Sequence, residues 1–243
     1  MPSLFHKLSL SCEKEKNMRE NREKIEISAN ILKAIFQNVY FINGTAYAGK
    51  STMIKLLAEK YDGICCGENY HDQLTGLIDE VHQPNLWYLK NCQDWQGFVS
   101  RTPREYAAWI EGCSREAQEL EMVFLIRYAG CGKRVFVDTN ICPEVLRKIS
   151  DDHHVLFLLS DEETAVNRFF EREDREKQFL YQVLLRSEKG EQAFENYRAC
   201  LQECNNEAVR QTFLQSGFRC IRRDENRSIQ ETLKLVEQHF QLK

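Results

Sequence analysis

The chain has 243 residues, of which 42% are hydrophobic and 29% charged, enough for one large α/β domain or one domain with an insertion. The formal net charge of −4 disfavours a surface that tracks duplex nucleic acid, although a local basic groove stays open. The ten cysteines are scattered and form no C-x-x-C pair, which disfavours a zinc site and suits free thiols in a reducing cytosol.

Residues 1–24 are polar and mixed in charge, with the runs Glu13-Lys14-Glu15-Lys16 and Arg19-Glu20-Asn21-Arg22-Glu23-Lys24. They read as a frayed tail or a solvated helix, and Met18 is an alternative start. Leu4–Leu10 is interrupted by His6 and Lys7, a poor signal peptide, and no apolar run reaches membrane-spanning length. Residues 25–243 are expected as a single domain. Ile31, Leu32, Ile35 and Phe36 give a first helix that packs on a sheet. Asn38–Asn43 is short, apolar and β-prone, so it reads as a buried strand.

The next stretch organises the rest. Gly44-Thr45-Ala46-Tyr47-Ala48-Gly49-Lys50-Ser51-Thr52 matches G-x-x-x-x-G-K-[ST], the Walker A or P-loop pattern. Two glycines let the backbone turn tightly, so that successive N–H groups point inward as an anion nest. The loop opens onto a helix N-terminus, whose unpaired N–H groups and dipole favour negative charge. In this motif the lysine, here Lys50, reaches the β- and γ-phosphates, and the hydroxyl, here Ser51, ligates Mg²⁺. Met53, Leu56, Leu57 and Ala58 keep helical spacing after the loop and Gly63 ends the helix, the context this motif requires.

A second strand is expected at Ile64–Cys66, ending in Gly67-Glu68-Asn69-Tyr70-His71-Asp72. Ligands of open α/β sheets sit beyond the carboxyl ends of strands, so Glu68, Tyr70 and His71 are acceptor candidates unless 67–72 is only a polar surface loop. Residues 73–130 read as mostly helical and aromatic, with Trp87, Tyr88, Trp95, Phe98, Tyr106 and Trp109 either packing or lining a substrate wall. Arg101 is a further acceptor-side candidate, with Tyr106 and Trp109. Thr102-Pro103-Arg104-Glu105 is a helix start, and that helix can run to Gly130. A third strand, Arg134–Asp138, ends in a carboxylate as Walker B does, which makes Asp138 a second Mg²⁺ candidate beside Ser51. Val155–Leu159 and Phe218–Ile221 complete five strands, and alternation with helices predicts a doubly wound parallel sheet. The last helix starts at Ser228 with a Glu231 capping box and is expected to bury Ile229, Leu233, Val236 and Phe240.

Ser160-Asp161-Glu162-Glu163 reads as another capping box, opening a helix that carries Arg168, Arg172 and Arg175 near one face. The intervening acids allow a salt-bridged solvent helix as well. Here the order of parts resembles the P-loop kinase superfamily. Residues 38–60 and 134–175 carry the likeness and 217–240 fit its last strand and helix; VFVDTN and HHVLFLLSDEETAVNRFFERED are similar to kinases of the polynucleotide-kinase-like and zeta-toxin-like branch. The resemblance implies the strand order 2-3-1-4-5. It also implies a lid over 161–190 whose Arg168, Arg172 and Arg175 face the transferred phosphate, and an acceptor seated by Glu68.

These features lead to the expectation of an ATP- and Mg²⁺-dependent kinase acting on a small-molecule hydroxyl, with a nucleotide and an acceptor as partners, and a cytoplasmic location. Glu68 is the candidate base and Asp138 the runner-up. A nucleotide-binding switch or regulatory ATPase, a polynucleotide 5′-end or toxin-type kinase, and a binding protein without turnover are the alternatives. An N-K-x-D guanine motif and an L-S-G-G-Q signature are both absent from the sequence.

Overall fold

The computed structural model describes residues 27–169, 175–224 and 226–243, so the tail expected over 1–24 lies outside the described residues. Five strands, β1 Val39–Gly44, β2 Ile64–Cys66, β3 Val135–Asp138, β4 Val155–Leu159 and β5 Arg219–Arg222, form one sheet in the order β2-β3-β1-β4-β5. Every pairing is parallel. The helices, in chain order, are α1 Ala29–Ile35, α2 Lys50–Lys60, α3 Pro84–Asn91, α4 Trp95–Val99, α5 Pro103–Ala129, α6 Pro143–Ile149, α7 Glu162–Phe169, α8 Arg175–Leu185, α9 Glu191–Cys204, α10 Glu207–Leu214 and α11 Ile229–Phe240. Among the described residues no helix is long and apolar enough to cross a membrane.

Period-two alternation sorts the strand side chains onto two covered faces. Val39, Phe41, Val135, Val137, Val155 and Phe157 meet Phe36, Phe124, Leu125 and Leu146 on one side. Tyr40, Ile42, Phe136, Leu156, Leu158 and Ile221 meet Met53, Ile54 and Leu57 of α2 and Leu233, Val236 and Phe240 of α11 on the other. Burying such a side chain completely contributes about 1.5–3 kcal/mol, so the apolar strands belong inside and not at an edge.

Helix α5 ties this sandwich to a helical annex. Its start is as expected: Thr102 and Glu105 cap each other's backbone N–H, Pro103 takes the first position, and Gly130 follows its last residue. Along its 27 residues it passes from one core to another. Tyr106 lies in the annex, Ala117 and Leu120 in a small cluster with Leu86, and Phe124 and Leu125 against the sheet. The annex core joins α4, α7, α8 and α9 through Phe98, Phe169, Leu184 and Tyr197.

Three local expectations are corrected. Ile229 is 56% exposed, because it is the first residue of α11 and its turn projects past the apolar stripe. Ile31 is likewise exposed, while Leu32 and Ile35 pack and Phe36 is fully buried. The capping box at Ser160 does not form: Asp161 Oδ1 accepts the Thr164 N–H at 2.6 Å, because the Ser160 hydroxyl is engaged elsewhere, with Ala46 O at 2.6 Å.

Candidate functional site

An all-parallel sheet sets the carboxyl ends of its strands along one edge. β1 is central, and the chain leaves it toward β2 and later returns on its other flank with β4. In open α/β sheets such a reversal of direction is where ligands bind, beyond the strand ends. The register states what meets there: Ile42 is level with Asp138, and Gly44 with Leu158.

The glycine loop, residues 44–49, fills this point. Gly44 has φ +130° and a Cβ there would stand 1.9 Å from Leu158 O, so only glycine fits. Gly49, at φ 92°, is the left-handed residue that turns the loop into α2. Tyr47 also has positive φ, 60°, an uncommon conformation that surrounding contacts must hold. They do so from three sides. Thr45 N donates to Leu158 O at 3.1 Å, Ser160 Oγ donates to Ala46 O at 2.6 Å, and Arg223 donates to Tyr47 O at 2.8 Å. Thr45 Oγ1 in turn accepts the Ser160 N–H at 2.6 Å. Ala48 is the buried residue of the loop's second half.

The first turn of α2 presents Lys50, Ser51 and the exposed Thr52. Lys50 Nζ donates to Thr45 O at 3.1 Å and stands 3.9 Å from Asp138 Oδ1. Ser51 Oγ donates to Asp138 Oδ2 at 2.7 Å. Burial pushes the Asp138 carboxyl above its ordinary range; the Lys50 charge and the Ser51 hydrogen bond oppose this, and Glu68 and Glu121 add to the rise. A hydroxyl and a carboxylate side by side are hard oxygen donors of the kind Mg²⁺ takes, with its remaining ligands from phosphate and water. Among the described residues no group of three His, Cys, Asp or Glu side chains converges as a metal cage.

Glu68 follows β2, is exposed, and is close enough for its charge to act on Asp138. Tyr70 and His71, which the sequence places at the acceptor, are instead buried wall. The Tyr70 hydroxyl donates to Glu121 Oε2 at 3.1 Å and its ring packs edge-on against Phe124. His71 is 5% exposed, with Nδ1 3.5 Å from Glu121 Oε1. The reason is Glu121 itself, a fully buried carboxylate of α5 that also accepts Thr139 Oγ1 at 2.5 Å and the Asn140 side-chain amide at 2.8 Å. It braces the turn after Asp138. Its signal in the sequence is an acid sharing a helical face with Ala117, Phe124 and Leu125, a place where acids are rare unless paired. Arg223 and Ser160 also go unread as loop clamps, although each immediately follows a strand, as Glu68 nearly does.

The three arginines expected over the crevice fare differently. Arg168 is half-buried in α7, Arg172 lies outside the described residues, and Arg175 opens α8. A cation of the same segment not singled out by the sequence, Lys177, stands 5.5 Å over the Tyr47 ring and so brings α8 to the loop. Arg101 lies among the aromatic residues of the annex, its guanidinium 4.5 Å from the Tyr88 ring centre, 5.0 Å from Phe98 and 5.2 Å from Trp109. These rings pack on one another, Phe98 edge-on to Trp109 at 88° and stacked with Tyr88 at 21°, so the aromatic residues of 73–130 are first of all core. All nine cysteines among the described residues are free thiols.

No protein-family model matches the chain, and a search of curated proteins finds no relative.

Proposed function

We propose that the chain is an ATP- and Mg²⁺-dependent phosphotransferase of the P-loop kinase kind, acting on a hydroxyl of a small molecule such as a nucleoside, nucleotide or other metabolite. One observation carries the reading: Lys50 and the Ser51–Asp138 pair converge at the mouth of a clamped glycine loop, at the carboxyl end of the central strand. The motif alone predicts a lysine and a hydroxyl; their meeting with a strand-end carboxylate 87 residues away is independent support.

On this reading the N–H groups of residues 45–50 cradle the phosphates and Lys50 neutralises their charge. Ser51 and Asp138 would hold Mg²⁺, which would supply positive charge against that developing on the phosphates. Arg168 and Lys177 add cations from the α7–α8 side, and Arg172 and Arg175 are the further lid cations that the resemblance implies. Glu68 takes the proton of the acceptor hydroxyl as its oxygen bonds to the γ-phosphorus, and the bond from that phosphorus to the β-phosphate bridging oxygen breaks. The Ser51–Asp138 and Lys50–Thr45 hydrogen bonds preorganise the loop, which matters because positioning and charge dominate phosphoryl transfer.

The test is a thermal-shift panel of nucleotides with Mg²⁺, followed by an ATP-consumption screen over hydroxyl-bearing metabolites. Stabilisation by Mg·ATP and acceptor-dependent ADP formation are expected. Stabilisation without turnover on any acceptor turns the reading into a nucleotide-binding switch; no stabilisation by any nucleotide sinks it.

A further inference from the structure

Arg101 is held in an unusual setting. Its guanidinium lies against three aromatic rings, Tyr88, Phe98 and Trp109. The rings answer its charge but offer no oxygen or nitrogen acceptor, whereas its five N–H donors call for acceptors. Nη1 is buried and has no hydrogen-bond partner, and among the described residues Arg101 makes no ion pair. The acids of the neighbouring turns are committed as helix caps: Asp94 accepts the Gly97 N–H at 2.8 Å, and Glu105 Oε2 accepts the Thr102 N–H at 2.9 Å. A buried, unpaired donor on a permanent cation is costly to maintain unless something else answers it.

The backbone around Arg101 is anchored. Asn196 donates to the carbonyl oxygens of Val99 and Arg101, at 3.3 and 2.8 Å, which ties the α4–α5 turn to α9. The cation is therefore preorganised on a braced turn. Arg101 is partly exposed as a residue, although Nη1 itself is buried. Its aromatic neighbours belong to the apolar cluster against which Tyr47 of the glycine loop also packs, so the cation shares one wall with the loop.

We propose that Arg101 is the anchor for an anionic group, a phosphate or a carboxylate, on the molecule that accepts the phosphoryl group. The word acceptor rests on the phosphotransferase reading; the anion site does not. Planar bidentate pairing with a guanidinium suits both anions, and the rings around it exclude water and strengthen the pair. The substrate class is thereby narrowed from hydroxyl compounds in general to those that carry a negative group apart from the reacting hydroxyl.

The full chain carrying Lys50→Ala, which removes the cation of the loop, is titrated with inorganic phosphate and separately with citrate. Tryptophan emission is followed, because Trp109 lies against the guanidinium. Saturable binding of at least one anion is expected, weakened about tenfold or more when Arg101→Met is added, as for loss of a charged hydrogen bond. A response to phosphate alone assigns a phosphate-bearing acceptor, and to citrate alone a carboxylate-bearing one. Binding unchanged by Arg101→Met, or no saturable binding of either anion, overturns the proposal. If Arg101→Met loses its far-ultraviolet circular dichroism, Arg101→Lys decides: it keeps the charge but not the fork, so several-fold weaker binding is expected and unchanged binding refutes the site. Thermal shift by Mg·ATP on Arg101→Met with Lys50 intact separates the two readings. A retained shift leaves the loop reading standing, whereas absence of a shift in the parent chain ends that reading and leaves the anion result to stand alone.

Discussion

Ser51 Oγ donates to Asp138 Oδ2 at 2.7 Å, joining the first turn of α2 to the end of β3. The contact follows from register. Asp138 is level with Ile42 of β1, and the loop carries the chain from β1 over the strand ends into α2. Asp138 is 4% exposed, and burial raises its carboxyl above the ordinary value of 3.8 against the pull of Lys50 and Ser51.

The sign of this shift makes a pH prediction. Between 3.8 and the raised folded value, the native protein holds more proton than the unfolded chain, so stability falls as pH rises through that window. Asp138→Asn removes the loss. Without nucleotide, the variant is expected to melt above the parent at pH 7, and the two should converge as the pH falls toward the unfolded value. With ATP, the variant should need more Mg²⁺ for its full thermal shift. An unchanged Mg²⁺ midpoint would reduce Asp138 to a strand-end residue.

Lys50→Ala should lower the melting temperature of the free protein only modestly, since Nζ makes one part-buried hydrogen bond and a 3.9 Å contact with the buried Asp138 carboxyl. Its thermal shift with Mg·ATP should be lost, along with turnover. Parent-like ATP stabilisation in this variant contradicts the phosphate-loop reading.

Glu68 separates into two roles by substitution. Glu68→Gln keeps shape and hydrogen bonding but not basicity. For a base, kcat falls about a hundredfold or more while acceptor KM stays near normal; for a positioning group, acceptor KM rises instead. If Glu68→Gln and Glu68→Ala both turn over like the parent, the base lies elsewhere, with Asp138 next in line.

For the lid candidates of the sequence, Arg172→Ala and Arg175→Ala should each lower kcat by about tenfold or more with little change in KM for ATP, the pattern of an interaction made in the transition state. Lys177→Ala tests the same side through a contact the structure records, over Tyr47. Losses below tenfold in all three would favour a solvated helix face.

Glu121 is predicted to matter first for stability. It is fully buried and accepts hydrogen bonds from Tyr70, Thr139 and Asn140. Glu121→Ala should cost about 3–5 kcal/mol and Glu121→Gln about 1–3 kcal/mol, read from urea unfolding. A neutral Glu121→Gln would show that the charge is not what braces the turn.

What the sequence alone determined is the local part. The glycine loop, the apolar strands, the capping boxes at Thr102 and Ser228 and the stop at Gly130 were legible because each depends on residues within a turn or two of one another. Alternation of strand and helix was enough for a parallel sheet, and the observed order β2-β3-β1-β4-β5 is the one expected. The tertiary structure decided what meets at the strand ends. Ser160 left its expected cap for Ala46, Arg223 reached back to Tyr47, and Glu121 drew Tyr70 and His71 inside. Arg101 was named from sequence, but its aromatic surround and its unpaired Nη1 were not. Such contacts span tens to hundreds of positions and exist only after strand register and helix docking are set, so no local pattern of spacing or propensity can encode them by itself.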